Sequence, residues 1–379
     1  VKPGDAVVID RDGLDQVISG LRTRGYRTIG PVVRDGAVML GEIRGTAGLP
    51  VGWHDTQAPG SYALRHSDDE ELFGWAVGPQ SMKSEAFPAK STLWRASTEG
   101  TAVTIVDHED EPARTALVGA RPCELAAMAV LDRVLAHSPT PDPLYVGRRA
   151  GTFVLVADCG SPSGTCFCDS MGTGPAAQEG FDLAVTEVLE GEHRFVVRVG
   201  SEEGAEVLAE VPHRDSTEID AAACSAVVEA AVQQMGRKLD TVGLPQLLAR
   251  NIDSPHWEVV ADRCLACGNC TLVCPTCFCS TVSDTTDLAG TVERTRTWAS
   301  CFDLQHSYLH GGSVRVSTAS RYRQWMTHKL STWHDQFGTS GCVGCGRCIA
   351  WCPVGIDITA EAAAIREADR NGDIEQGGL

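Results

Sequence analysis

Up to about residue 200 the chain alternates short β-branched runs with Gly, Pro and Asp breaks. AVVID, AVML, TAVTIVD, TALVGA, TFVLVAD and RFVVRV have the length and composition of strands in a buried or half-buried sheet. Between them, CELAAMAVLDRVLAH (Cys123 to His137) carries apolar residues at helical spacing, as does the Ala-rich stretch from Ile219 to Met235. The first part therefore reads as a mixed α/β domain. VPHRDSTEID, from Val211 to Asp220, is polar with a Pro and capping-type residues, and it predicts a boundary between domains at 1–215 and 216–379.

Beyond that boundary, cysteine runs alternate with helix-like segments and few strand patterns remain. SRYRQWMTHKLSTWHDQFG places Tyr322, Trp325, Met326, Lys329, Leu330, Trp333 and Phe337 at steps of three and four, which predicts a helix with one bulky aromatic face. Core packing accounts for that face better than electron relay through tryptophan. Further on, Thr359 precedes a short helix that Asn371-Gly372 ends. TCFCDS (Thr165–Ser170) and TCFCST (Thr276–Thr281) share a Cys-Phe-Cys core, but their surroundings do not repeat, so no domain duplication is inferred.

The strongest chemistry lies in two runs. Cys264, Cys267, Cys270 and Cys274, followed by Pro275, have the spacing C-x2-C-x2-C-x3-C-P, and Cys342, Cys345, Cys348 and Cys352, followed by Pro353, repeat it. A cubane needs four thiolates at its iron corners, and in two-cluster proteins the fourth cysteine of such a run ligates the other cluster. The expected sets are Cys264, Cys267, Cys270 with Cys352, and Cys342, Cys345, Cys348 with Cys274. Gly268, Gly344 and Gly346 suit close approach of backbone amides to cluster sulfurs, and the prolines stop each run from continuing as helix. Zinc, which favours two separated Cys pairs around one tetrahedral ion, fits the spacing less well.

Composition narrows the context. The 379 residues are 43% hydrophobic and 22% charged, as in a folded globular protein rather than a disordered one, and their length predicts two or three domains. A formal charge of -18 without a long basic block disfavours phosphate backbones and anionic lipid as partners, so neither nucleic acid nor membrane is expected. Apolar runs fall short of the ~20 residues that span a bilayer, and VKPGDAVVIDRDGLDQVI lacks a signal-peptide pattern, which predicts a cytoplasmic protein. Sixteen cysteines there point to metal rather than disulfides.

Eight cysteines lie outside the ligand sets. Cys159, Cys166, Cys168, Cys277, Cys279 and Cys301 admit a further metal site, but their incomplete spacing favours burial as small apolar groups; Cys123 reads as buried and Cys224 as core. MGTGP (Met171 to Pro175) reads as a tight turn rather than an anion nest. His306 and His310 read as a polar helix face, since no Glu lies between them as in HExxH. With no nucleophile signature, catalytic carboxylate pair or flavin fingerprint, no catalytic residue is assigned, and the hard chemistry is expected on another subunit.

RPCELAAMAVLDRV, DCGSPSGTCFCDSMGTGPAAQEGFDLAVTE, RCLACGNCTLVCPTCFCS and SRYRQWMTHKLSTWHDQFGTSGCVGCGRCIAWCPVGIDIT together resemble the 4Fe-4S dicluster beta subunit of soluble group 3b [NiFe] hydrogenases, or sulfhydrogenases. The A subunit of anaerobic sulfite reductase is similar. The resemblance implies an α+β chain whose C-terminal part is an alpha-helical ferredoxin domain with two [4Fe-4S] clusters on the eight run cysteines. It also implies a hetero-oligomer with [NiFe] large and small subunits and an FAD-containing, NAD(P)-binding subunit. Transfer to a sirohaem enzyme, or a structural or redox-sensing cluster module, are the competing expectations.

Overall fold

The computed structural model describes residues 1–99, 101–107, 113–288 and 290–372. In chain order the strands are β1 (Ala6–Ile9), β2 (Arg27–Arg34), β3 (Ala37–Glu42), β4 (Trp53–Ala58), β5 (Ser61–His66), β6 (Lys90–Glu99) and β7 (Ala102–Asp107). They continue as β8 (Thr115–Ala120), β9 (Thr152–Ala157), β10 (Leu183–Val188), β11 (Arg194–Val199), β12 (Arg214–Asp215), β13 (Ser280–Thr286) and β14 (Val292–Trp298).

One eight-stranded sheet has the order β12-β1-β11-β10-β9-β8-β2-β3. Its centre, β2-β8-β9-β10, is parallel, and the flanks are antiparallel. β8 and β10 are buried at every position and β9 at all but its first, because helices cover both faces and leave no solvated side to carry polar residues. On one face the helix Arg11–Thr23 turns Leu14, Val17, Ile18 and Leu21 into a core with Phe153, Leu155 and Phe195. On the other, the helix Pro122–Leu131 packs Leu125 and Met128 against Leu117, Val154 and Val156.

Each predicted run forms a strand, but β2, β6, β10, β12 and the hairpin β4-β5 escaped the pattern. β10 reads LAVTEV, a stretch whose polar positions are buried with the rest. Strands also occur late in the chain, against expectation: β13 and β14 form a hairpin that joins β6 and β7 in a second sheet, order β13-β14-β6-β7. β13 is exposed throughout, so it lacks the apolar alternation that flags a strand. This sheet draws its strands from both sides of residue 215. The helix Glu218–Gln234, which follows the expected boundary, lies against β10 and β11 of the first sheet.

The rest is mostly helical, with a short hairpin of Tyr308–Leu309 and Gly312–Ser313, around a core that includes Leu247, Trp257, Phe302, Tyr322, Trp325 and Ile365. Tyr322 is the hub, with ring centroids 5.4 Å from Trp325 and 6.4 Å from both Trp257 and Phe302. Such pairs contribute roughly 0.5–1.5 kcal/mol each beyond their buried area. The aromatic helix is not continuous. It runs as α-helix over Thr318–Thr327, as a π-helical turn over His328–Thr332, and as α-helix again over Trp333–Phe337. The last helix is Ile358–Arg370, capped by Asp357 rather than Thr359 and ending at Asn371.

Candidate metal centre

The two cysteine runs fold alike, residue for residue. Ala266 and Gly344, third in their runs, both take positive φ (50° and 64°), and each backbone N–H points at the first cysteine, with N to Sγ of Cys264 and of Cys342 both 3.4 Å. Gly268 and Gly346 are both left-handed at φ 73° and open the short helices Asn269–Leu272 and Arg347–Ala350, which pack on each other. The left-handed residues curl the backbone round a common centre, as a run wrapping three corners of one cluster requires. The Asn269 side chain donates to the Trp351 carbonyl and ties the first run to the end of the second.

Cys264, Cys267, Cys270 and Cys352 line one cavity, walled by Phe302, Tyr322 and Trp325. Cys274 interacts electrostatically with Cys342, Cys345 and Cys348, while Cys348 also lines the first cavity and interacts with Cys270. The fourth cysteine of each run thus stands with the first three of the other. Among the described residues no three cysteine sulfurs lie within 4.8 Å of one another. Four thiolates around one zinc ion at ~2.3 Å would stand about 3.8 Å apart, closer than any three of these sulfurs stand. The two sets differ in access. Cys267 is exposed beside Leu265, whereas Cys274 and Cys345 are buried.

Three buried cations surround the second set. Lys329, in the π-helical turn, donates from Nζ to Cys274 Sγ at 3.2 Å, to Thr276 Oγ1 at 3.1 Å and to the Gly341 carbonyl at 3.0 Å. Lys83 donates to the carbonyls of Cys274 and Cys277 at 2.9 and 3.0 Å and lies over the Trp298 ring. Arg347, 1% exposed, pairs with Glu124 at 2.7 Å and faces the sulfurs of Cys345 and Cys123.

Electrostatics follow from this packing. Burial pushes the Cys342 thiol up to about 12 and raises those of Cys270, Cys345 and Cys348. Cys274 goes the other way, because a hydrogen bond from Cys277 and the Lys329 charge outweigh burial and favour its thiolate. Burial alone would lower Lys329, but Cys274, Cys277 and Cys342 hold its ammonium well above the ordinary range. With fewer compensating groups, Lys83 is pushed down by burial. Buried charge of one sign demands the other sign nearby, and a negatively charged group held by the thiolates of the second set would supply it.

A family model described as the 4Fe-4S dicluster domain matches residues 263–356, the stretch holding both runs. Sulfhydrogenase 2 subunit beta of Pyrococcus furiosus is 34% identical over 265 residues, which cover 69% of this chain and 77% of that protein. The chain belongs to the sulfhydrogenase beta-subunit family. As a homologue of that subunit with a C-terminal 4Fe-4S dicluster domain, it is an α+β iron-sulfur electron-transfer protein of the hydrogenase-related oxidoreductases. No helix among its described residues is long and apolar enough to cross a membrane.

Other sequence-predicted residues of this sulfhydrogenase beta-subunit homologue fall as follows. MGTGP is a tight turn in which the Gly172 N–H donates to the Asp169 carbonyl. His306 lies in a 3₁₀ turn (Leu304–Ser307) and His310 in the hairpin after it, both exposed, so they share no helix face. Cys224 is half-buried against Val8, Val188 and Val196. Cys301 borders the first set, and Cys277 and Cys279 lie beside Lys329. Sequence reasoning missed the cations: Lys329 was read as one more residue of the aromatic stripe, although a lysine in the middle of an apolar face is itself a signal.

Proposed function

We propose that the chain is the electron-transfer subunit of a hetero-oligomeric, cytoplasmic, NAD(P)-linked [NiFe] hydrogenase, relaying electrons between hydrogenase and flavin subunits. In this reading an alpha-helical ferredoxin-type domain with two [4Fe-4S] clusters lies within residues 216–379, apart from the β13-β14 hairpin that joins β6 and β7, and residues 1–215 hold the mixed α/β domain. Cys264, Cys267, Cys270 and Cys352 hold one cluster, and Cys274, Cys342, Cys345 and Cys348 the other. When bound, such clusters take up and release one electron at a time.

What supports the reading most is that Cys352 shares a cavity with Cys264, Cys267 and Cys270 while Cys274 faces Cys342, Cys345 and Cys348, in two runs of like local geometry. The chain's own residues do the rest. Ala266 and Gly344 aim amides at ligand sulfurs, Phe302, Tyr322 and Trp325 exclude water from the first set, and Lys329 and Arg347 place positive charge at the second. The exposed edge at Leu265 and Cys267 is the contact for an electron partner.

The test is the purified complex. Hydrogen-dependent NAD(P) reduction, with EPR signals of this subunit's clusters developing during turnover, is the expected result. Sulfite reduction instead would move the chain to the sulfite-reductase reading, and clusters that resist the physiological donor would make it a structural or sensing module. Iron and sulfide counts on the wild type and Cys267→Ser test the ligand assignment.

A further inference from the structure

We propose that Cys123, Cys159, Cys166 and Cys168 hold a third iron-sulfur cluster, set at the carboxyl end of the parallel strands and packed against the second cysteine run. This goes beyond the two-cluster reading and is tested separately from it.

The fold brings the four together from separate places. Cys123 is the second residue of the helix that follows β8, Cys159 lies two residues past β9, and Cys166 and Cys168 sit on the loop that continues from it. β8 and β9 are parallel neighbours, so their carboxyl ends, and the segments that follow them, lie side by side at one edge of the sheet. All four cysteines are buried and line one small cavity. Cys168 interacts electrostatically with Cys123, Cys159 and Cys166, and no three of the four sulfurs lie as close as 4.8 Å to one another. A Cβ on Gly174 would stand 3.0 Å from Cys168 Sγ, so a glycine keeps that thiol clear.

Buried thiols alone are ordinary core packing. Here the four converge on one cavity with a buried arginine in its wall. The Arg121 side chain is 1% exposed and lines the same cavity. It donates to the carbonyls of Phe73, Trp75, Ala157 and Asp158, pairs with no carboxylate among the described residues, and leaves Nε without a partner. The ten-residue helix Pro122–Leu131 begins here too, with its positive end beside Cys123. Asp55 and Glu71 lie within electrostatic reach of Arg121 and its guanidinium stacks over Trp75 at 4.1 Å, so its charge is partly balanced; a core held by four thiolates is net negative and would add to that balance.

The site adjoins the second run. The Phe167 N–H donates to the Gly344 carbonyl at 2.8 Å, Cys166 Sγ is 3.8 Å from the Cys345 carbonyl, and a Cβ on Gly346 would meet the Thr165 carbonyl at 2.5 Å. Assembly exchanges four thiol protons, released to solvent, for four iron–thiolate bonds, with iron and sulfide supplied as for the other two sites.

The experiment is native mass spectrometry with iron, sulfide and zinc quantitation on the full chain purified without oxygen. Three cubanes predict about twelve irons and twelve sulfides in the wild type, and about eight in Cys159→Ser and Cys166→Ser, while Cys224→Ser keeps about twelve. A wild type with about eight irons, a zinc lost on Cys159→Ser, or variants that keep the full count would overturn the proposal. A wild-type count below eight would overturn the two-cluster reading as well. Should the variants fail to fold, the wild-type count alone decides.

Discussion

Lys329 reaches Cys274 from a π-helical turn, Nζ to Sγ 3.2 Å, with both residues buried. A π-turn widens the helix locally and is often found at functional sites. Here it divides the aromatic helix at the turn that delivers the ammonium, so one lysine faces the Cys274 sulfur while Trp325 and Trp333 on either side pack into cores.

Replacing Lys329 by Met removes positive charge beside the second set and disfavours the more negative, reduced state. The reduction potential of that cluster is expected to fall by about 60 mV or more, a tenfold step in a one-electron equilibrium. EPR-monitored redox titration checks this, with Lys329→Arg expected to stay near the wild type. An unchanged potential in Lys329→Met would remove the lysine from the electrostatics of the site.

Gly344→Ala and Ala266→Gly, at equivalent positions, should act in opposite directions. A Cβ at 344 would meet the Phe167 carbonyl carbon at 2.6 Å and the Cys168 Cα at 2.7 Å, on a backbone at φ 64°. The left-handed backbone alone costs roughly 1–2 kcal/mol, before the clash is relieved. Gly at 266 relieves the same conformation and is expected to stabilise by a few tenths to about 1 kcal/mol. Denaturant unfolding measures both, and equal effects would contradict the parallel between the runs.

Arg347→Met leaves Glu124 buried without its partner and is expected to cost about 3–5 kcal/mol. Adding Glu124→Gln should restore a large part of that loss. A double-mutant cycle by thermal unfolding gives the coupling, and additive losses would contradict the pair's role.

Burial raises the Glu361 carboxyl, but hydrogen bonds from His256 and Arg263 at 2.6 Å outweigh it and hold the group below the ordinary carboxylate range. A depressed folded-state value means the stabilisation is present above the unfolded value, ~4.3, and is lost as pH falls through the folded one. Stability should therefore drop below about pH 5, and Glu361→Gln should flatten that acid limb. Urea midpoints between pH 3 and pH 7 test it, and parallel curves for the two proteins would discount the interaction.

The cysteine spacing by itself identified both runs and the expected exchange of their fourth members, because a cubane imposes a local period that no other site type shares. Strand and helix runs of the first part were equally legible, since burial on two faces leaves continuous apolar stretches such as TALVGA and TFVLVA. Only tertiary structure decided the rest. β13 carries no apolar alternation and is a strand because β14 pairs with it. Lys83, Lys329 and Arg347 come from distant elements and meet around Cys274 and Cys345, where the wish of buried charge for its opposite becomes visible. Cys123, Cys159, Cys166 and Cys168 have no spacing to announce them, because adjacent parallel strands, rather than one wrapped loop, bring their sulfurs to one cavity.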